Sequence, residues 1–166
     1  MSATLEALDL DVLRLIAEEP RAGVREYARR LGVARATLQA RVDKLQRSGV
    51  LVSWRPQIDP AAMGYAGLAY VRLQLAQGML ERTVVALADI PEVVEVNAVA
   101  GNADLLCQVV AKDNADLERV LQLIIASDGV ERSSTEVVLS RRLKPTVVPL
   151  IAQMHSELQQ RTVLAR

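Results

Sequence analysis

The second half of the chain alternates strand-like and helix-like segments in an order that few folds accommodate. In residues 67–76, Val71, Leu73 and Leu75 alternate with other residues, as in a half-buried strand. The segments that follow are a helix at 80–90, strands at 93–101 and 104–111, a helix at 116–127 and a strand at 134–141. This β-α-β-β-α-β order predicts a ferredoxin-like layer of one sheet and two helices.

One face of such a sheet lies under the helices and the other face is open. Leu68, Tyr70 and the valine-rich strands place apolar groups where a partner sheet would cover them. The pattern therefore favours a homodimer formed through this domain.

Three short helical segments precede this layer. Pro20 ends the first, Gly32 ends the second, and the third runs from about residue 34 to residue 48. The apolar residues at helical spacing are Leu8, Val12, Leu15 and Ile16 in the first segment and Leu38, Val42 and Leu45 in the third. Two short helices joined through a glycine are typical of a helix-turn-helix.

The formal net charge is zero, but the charges are segregated along the chain. Residues 21–55 hold nine basic and two acidic residues, a net charge of +7. Residues 61–140 hold five basic and eleven acidic residues, a net charge of −6, and residues 141–166 have a net charge of +4. This asymmetry indicates a polyanion-binding part followed by a domain with a different task.

The third helix carries much of the positive charge on the face opposite its apolar stripe. The residues that we expect to contact DNA are Arg35, Ala36, Thr37, Gln39, Ala40, Arg41, Lys44 and Arg47. An α-helix fits the DNA major groove, small residues permit close approach, and Arg and Thr can contact base edges. The alternative is that this face is an ordinary solvated helix surface.

A short strand, a turn and a second short piece are predicted between Gly49 and Pro60. This arrangement resembles the wing that follows a recognition helix, and we expect Arg55 to contact a phosphate there. The predicted domains are residues 1–60 for DNA binding, 61–145 for regulation and 146–166 for a helical tail.

Several function classes are disfavoured by composition. The single His155 makes a histidine-built metal or acid–base site hard to assemble, and the single Cys107 excludes an internal disulfide framework. No apolar run is long enough to span a membrane, and the start of the chain lacks a secretion signal pattern. We therefore expect a cytoplasmic protein with no metal, no cofactor and no membrane contact.

Together these segments resemble the Lrp/AsnC, or feast/famine, family of bacterial and archaeal transcription regulators. The quoted residues are "LDLDVLRLIAEEPRAG", "REYARRLGVARATLQARVDKLQRSGVL", "IDPAAMG", "GNADLLCQVVAKD" and "DGVERSSTEVVLS". The resemblance implies an α+β protein in which an N-terminal winged helix-turn-helix precedes a βαββαβ ligand-sensing and oligomerisation domain. It also implies a non-enzyme that binds double-stranded DNA, forms dimers and often tetramers or octamers, and binds an amino acid between dimers.

The resemblance assigns the effector to two segments of the second domain. Their residues are Gly101, Asn102, Ala103, Asp104, Ser133, Ser134 and Thr135. Backbone amides of a turn can hold a carboxylate, and Asp104 could accept hydrogen bonds from an ammonium group. An ordinary hairpin turn is the alternative interpretation of residues 101–104.

The chain departs from the family pattern at three places. Ala34 stands where the family usually has a Ser N-cap, Ala103 stands where an aromatic residue is frequent, and the tail extends past the usual end. The apolar residues of that tail predict an amphipathic helix. This helix packs either on a neighbouring subunit or on the core of its own subunit.

Two other functions remain open at this point. Sirohaem decarboxylases share the fold, but the only histidine of this chain lies in the tail, which disfavours that enzyme class. A non-DNA-binding amino-acid-sensing module is the other alternative, and Ala34 is the feature that supports it.

Overall fold

A computed structural model describes residues 4–54 and 58–164, with side chains described as far as residue 161. Two compact units are present, Met1–Pro56 with Lys144–Arg166 and Gln57–Leu143. Arg55, expected to contact a phosphate, lies outside the described residues. Within the described ranges, no helix combines the length and apolar character that crossing a membrane requires.

The first unit is helical. Its helices are α1 (Ala7–Glu18), α2 (Gly23–Leu31), α3 (Arg35–Arg47) and α6 (Val148–Leu164). The predicted apolar stripe of α3 is confirmed, because Leu38, Val42 and Leu45 are all buried in one core with residues of α1 and α2. This burial fixes which face of α3 is left for solvent.

The tail forms α6, which packs against α1 of the same chain. Ile151 is buried, and His155 Nε2 lies 3.6 Å from Asp11 Oδ1 of α1. Of the two placements considered for the tail, the structure therefore shows the one within a single subunit.

The predicted wing strand is absent from the described residues, since residues 50–54 are irregular. Val50 and Leu51 instead pack onto the helical core, and the Leu51 amide donates to the Leu45 carbonyl at 3.0 Å. Beyond this segment, Pro60–Met63 forms a 3-10 helix whose first turn is capped by Asp59.

The second unit has the predicted β-α-β-β-α-β order. Its elements are β1 (Gly67–Leu75), α4 (Leu80–Ala88), β2 (Val93–Ala98), β3 (Leu105–Ala111), α5 (Asn114–Ile125) and β4 (Val130–Val137). The strands form one antiparallel sheet in the order β2-β3-β1-β4, and the ferredoxin-like fold is confirmed. Val71, Leu73 and Cys107 are fully buried with residues of α4 and α5, so Tyr70, Arg72 and Gln74 lie on the opposite sheet face.

The strand β4 begins four residues earlier than its sequence pattern predicts. Residues 131–137 are all exposed, and β4 is an edge strand whose one neighbour in the sheet is β1. An edge strand without a buried face shows no hydrophobic alternation, so its start is hard to locate from sequence.

Candidate nucleic-acid interface and ligand cavity

The turn between α2 and α3 is built on a glycine. Gly32 ends α2 in the left-handed conformation at φ 64°, which a side-chain-bearing residue adopts only at a cost. Ala34 then precedes α3 as N-cap, and no side chain of the cap accepts a hydrogen bond from the first turn. The weaker cap expected of Ala34 is thus present in the structure, and its cost is about 1 kcal/mol.

The exposed face of α3 combines cations with small residues. The exposed members of the predicted DNA-contacting set are Arg35, Ala36, Thr37, Gln39, Ala40 and Arg47. Gln39 Nε2 donates to Asp43 Oδ1 at 2.8 Å, one turn along the helix. Arg35 and Arg47 make no ion pair with any residue that the structure describes.

Arg41 and Lys44 lie in a different setting, because both side chains contact acids at the start of α1. Arg41 Nη1 lies 2.8 Å from Glu6 Oε2 and 3.3 Å from Asp9 Oδ1. Lys44 Nζ lies 2.9 Å from Asp9 Oδ2 and 3.6 Å from Glu6 Oε1. We call Glu6, Asp9, Arg41 and Lys44 the α1–α3 charge cluster. Both cations are half-buried, which differs from the exposed positions that helical periodicity predicts.

Asp9 is the buried centre of this cluster, with a side chain that is 0% exposed. Burial opposes ionisation and raises its pKa, but hydrogen bonds from the Glu6 amide, Lys44 and Arg41 outweigh burial and hold the pKa below its ordinary value. The cluster therefore contains a buried carboxylate that is paired and hydrogen-bonded.

Two of the three cations of α2, Arg29 and Arg30, are also paired. Hydrogen bonds from Arg29 and then Arg30 lower the pKa of Glu26 to about 2, and Arg30 Nη1 lies 2.5 Å from Glu19 Oε1. These groups are exposed, so their pairs contribute little to stability. The cations of residues 21–54 that make no ion pair within the described part of the chain are Arg21, Arg25, Arg35 and Arg47.

A cavity of about 290 Å³ lies in the second unit. Four of the predicted effector residues line it, namely Asn102, Ala103, Ser133 and Ser134. Sequence reasoning missed three further lining residues, Arg72, Gln74 and Arg132. Arg72 and Gln74 alternate with the buried Val71 and Leu73, but the register that brings β4 beside them is visible only in the structure.

Gly101, Asp104 and Thr135 do not line the cavity. Asp104 instead joins the turn after β2 to β1, since its Oδ2 accepts from the Leu75 amide at 2.8 Å and its amide donates to the Leu73 carbonyl at 2.9 Å. Its carboxylate is therefore engaged with the backbone rather than with the cavity. Gly101 has φ 129°, which fits a tight turn.

Two arginines dominate the polar lining of this cavity. Arg72 Nε donates to Glu136 Oε1 at 3.3 Å, whereas Arg132 makes no ion pair with the described residues. Gln74 Nε2 donates to the Asn102 carbonyl at 2.7 Å and so connects β1 to the turn. In the part of the chain that the structure covers, no cluster of His, Cys, Asp or Glu is arranged to hold a metal ion.

Comparison with known protein families matches both units. A family model for the Lrp/AsnC ligand binding domain matches residues 68–148, and a model for winged helix-turn-helix DNA-binding matches residues 5–52. The HTH-type transcriptional regulator FL11 of Pyrococcus horikoshii is similar at 31% identity over 150 residues, covering 90% of this chain and 99% of that protein.

Solved structures agree with this comparison. AsnC from E. coli has a TM-score of 0.81 at 23% identity, covering 89% of this chain and 100% of that chain, which shows the shared fold. A feast or famine regulatory protein from M. tuberculosis, complexed with L-methionine, has a TM-score of 0.76 at 27% identity and covers 85% of this chain and 96% of that chain. Relatives named as transcriptional regulators favour a regulator over the decarboxylase alternative. The chain belongs to the Lrp/AsnC family of transcriptional regulators.

Proposed function

We propose that this regulator binds double-stranded DNA by placing the exposed face of α3 in the major groove. Its base-reading and phosphate-contacting residues are Arg35, Ala36, Thr37, Gln39, Ala40 and Arg47, with Arg55 as a further phosphate contact. The observation that carries the proposal is the exposed α3 face. There Arg35 and Arg47, which make no ion pair with the described residues, flank the small residues Ala36 and Ala40. Small side chains between two cations allow the helix backbone to approach base edges while the cations neutralise phosphates.

Arg41 and Lys44 have a second role in this proposal. Because Asp9 holds both side chains, they set the position of α3 on α1, and any phosphate contact they make is shared with the acids of the α1–α3 charge cluster. Removing either cation is therefore expected to change both protein stability and DNA affinity, which makes Arg47 the cleaner test of a DNA contact.

The experiment is a salt titration of binding to genomic fragments, including the region upstream of the regulator's own gene. Arg47→Ala should weaken binding and reduce the slope of log K against log salt by about 0.9, the value for one lost phosphate contact. Arg82→Ala is the matched control, because Arg82 lies on α4 in the other unit and pairs with Asp128 at 2.7 Å. Equal salt slopes for the wild type and Arg47→Ala would show that Arg47 does not contact a phosphate.

We further propose that the cavity beside Arg72 holds a small effector that changes DNA binding, and that the regulator acts in the cytoplasm as a homodimer or a higher oligomer. The M. tuberculosis relative that is complexed with L-methionine supports an amino-acid effector. The open sheet face, which carries Leu68 and Tyr70, supports dimerisation through the second unit. Arg72 and Gln74 lie on the same face, so in such a dimer the cavity would lie beside the partner subunit. Light scattering of the wild type and Leu68→Asp tests this, since a charge on a face that meets a partner should shift the mass toward the monomer.

A further inference from the structure

We propose that the effector of this protein carries two anionic groups, as acidic amino acids and small dicarboxylates do. This inference rests on the proposal that the cavity is the effector site. It stands on the placement of Arg72 and Arg132, which are the charged residues that line the cavity, and on a lining in which no described residue contributes a carboxylate.

The register of β1 and β4 places the two arginines near each other on one face of the sheet. Arg72 pairs with Ser134 and Gln74 pairs with Arg132, so the two arginines are diagonal neighbours. Diagonal neighbours on one face of an antiparallel pair lie about 7–8 Å apart, within reach of long side chains. Two cations that line one cavity repel each other, and an anionic ligand between them would offset that repulsion.

The nearby acids compensate only one of the two arginines, since Arg72 forms an exposed ion pair with Glu136. Glu136 accepts one hydrogen bond from Arg72 and does not line the cavity, and Asp104 is occupied by the Leu75 amide. Arg132 has no acidic partner among the described residues. A net positive charge therefore remains in the cavity, and arginine binds carboxylates through charge-assisted, often bidentate, hydrogen bonds.

The remaining lining suits a small polar ligand. Ser133 and Ser134 present hydroxyl groups, and the volume of about 290 Å³ lies just below the range typical of drug-sized ligands. Because no described residue of the lining offers a carboxylate to an ammonium group, the anionic groups of the ligand carry the recognition. An acidic amino acid and the corresponding 2-oxo acid share this chemistry, and the assay must separate them.

Isothermal titration of the full-length protein tests this with a charge series. The ligands are L-glutamate, L-aspartate and 2-oxoglutarate, against L-glutamine, L-asparagine and L-methionine. Glutamine and asparagine replace the side-chain carboxylate with an amide of similar size, so the comparison isolates one negative charge. We expect L-glutamate and L-aspartate, each with two carboxylates, to bind at least about tenfold more tightly than the corresponding amide, about 1.4 kcal/mol. A preference for glutamate over 2-oxoglutarate would mean that the ammonium group is also recognised.

Two variants assign this preference to the cavity. Arg132→Gln should bring the affinity for L-glutamate to that of L-glutamine and leave the affinity for L-glutamine itself unchanged. Arg82→Gln, which removes a cation outside the cavity, should change neither affinity. The same ligands are then added to the DNA-binding assay to link occupancy to regulation.

Three results would overturn the inference. Tighter binding of methionine or of an amide than of every ligand with two carboxylates would overturn the inference but leave an amino-acid effector in place. If Arg132→Gln does not alter the preference for a second carboxylate, that carboxylate is recognised outside this cavity. Binding of none of these ligands by a protein that still binds DNA selectively would overturn both this inference and the effector proposal, but not the DNA-binding proposal.

Discussion

Replacing the buried Asp9 with Asn should destabilise the helical unit without changing the shape of the side chain. Asp9 accepts hydrogen bonds from the Glu6 amide at 3.0 Å, from Lys44 at 2.9 Å and from Arg41 at 3.3 Å. Asn can keep one oxygen where Oδ2 accepts from the Glu6 amide and Lys44, but it carries no charge and turns a donating NH₂ group toward Arg41, which is also a donor. The α1–α3 charge cluster would then keep two cations with only the exposed Glu6 as an acid.

The size of the effect follows from the exposure of the partners. A hydrogen bond to a charged group contributes about 1.5–3 kcal/mol when buried. The Arg41 and Lys44 side chains are 26% and 38% exposed, so water replaces part of what they lose. We therefore expect Asp9→Asn to lower the free energy of unfolding by about 1–3 kcal/mol, a substantial part of the about 5–15 kcal/mol typical of a folded protein.

The assay is urea unfolding at pH 7 and at a series of acidic pH values. The pKa of Asp9 is lowered in the folded state, so its stabilisation is present above the ordinary pKa near 4 and is lost as pH falls through the folded value. The wild type should lose stability below about pH 4, and Asp9→Asn should lose less over the same range. Asp11→Asn is the control on the same helix, since Asp11 forms partly exposed pairs with Arg14 at 3.7 Å and with His155.

An Asp9→Asn protein with wild-type stability at pH 7 and an unchanged acid profile would refute this reasoning. It would mean that burial of the carboxylate costs as much as its three hydrogen bonds contribute. An effect of equal size in Asp11→Asn would also contradict it, because exposed pairs contribute only about 0–1 kcal/mol.

Two further perturbations test the second unit. Gly129→Ala should lower the free energy of unfolding of this unit by at least about 1–3 kcal/mol. Gly129 has φ 89°, and an added Cβ would lie 2.5 Å from Met79 Cβ and 2.7 Å from Thr83 Oγ1. Unchanged urea unfolding would show that the turn adapts. Cys107 should react with a thiol reagent at pH 8 far more slowly in the native protein than in urea, because it is buried and burial raises its pKa to about 11. Fast labelling of the native protein would mean that β3 opens readily.

The elements were predictable because their signals are local. Two of these signals are periodic patterns within one segment: the apolar stripe of Leu38, Val42 and Leu45 on α3 and the alternation of β1. In both elements the predicted apolar residues form the buried face. The edge strand β4 has no buried face, so its first four residues carried no such signal.

The missed features depend on residues that are far apart in the chain. Asp9 is 32 residues from Arg41 and 35 from Lys44, and helical periodicity on α3 alone places both cations in solvent. The two arginines of the cavity were missed for the same reason, because only the β1–β4 register places Arg132 near Arg72. The acid spacing of Glu6 and Asp9, one turn apart at the start of α1, was the available signal for the α1–α3 charge cluster.

The central claim is that the exposed α3 face contacts DNA, and Ala40→Glu tests it most directly. Ala40 is exposed, so a glutamate there should fold normally while placing a negative charge and added bulk against the groove. The measurement is the affinity for a selectively bound fragment at fixed salt, with circular dichroism and urea unfolding confirming the fold. We predict that a stably folded Ala40→Glu loses selective binding. Wild-type affinity and selectivity in this variant would contradict the placement of α3 in the groove.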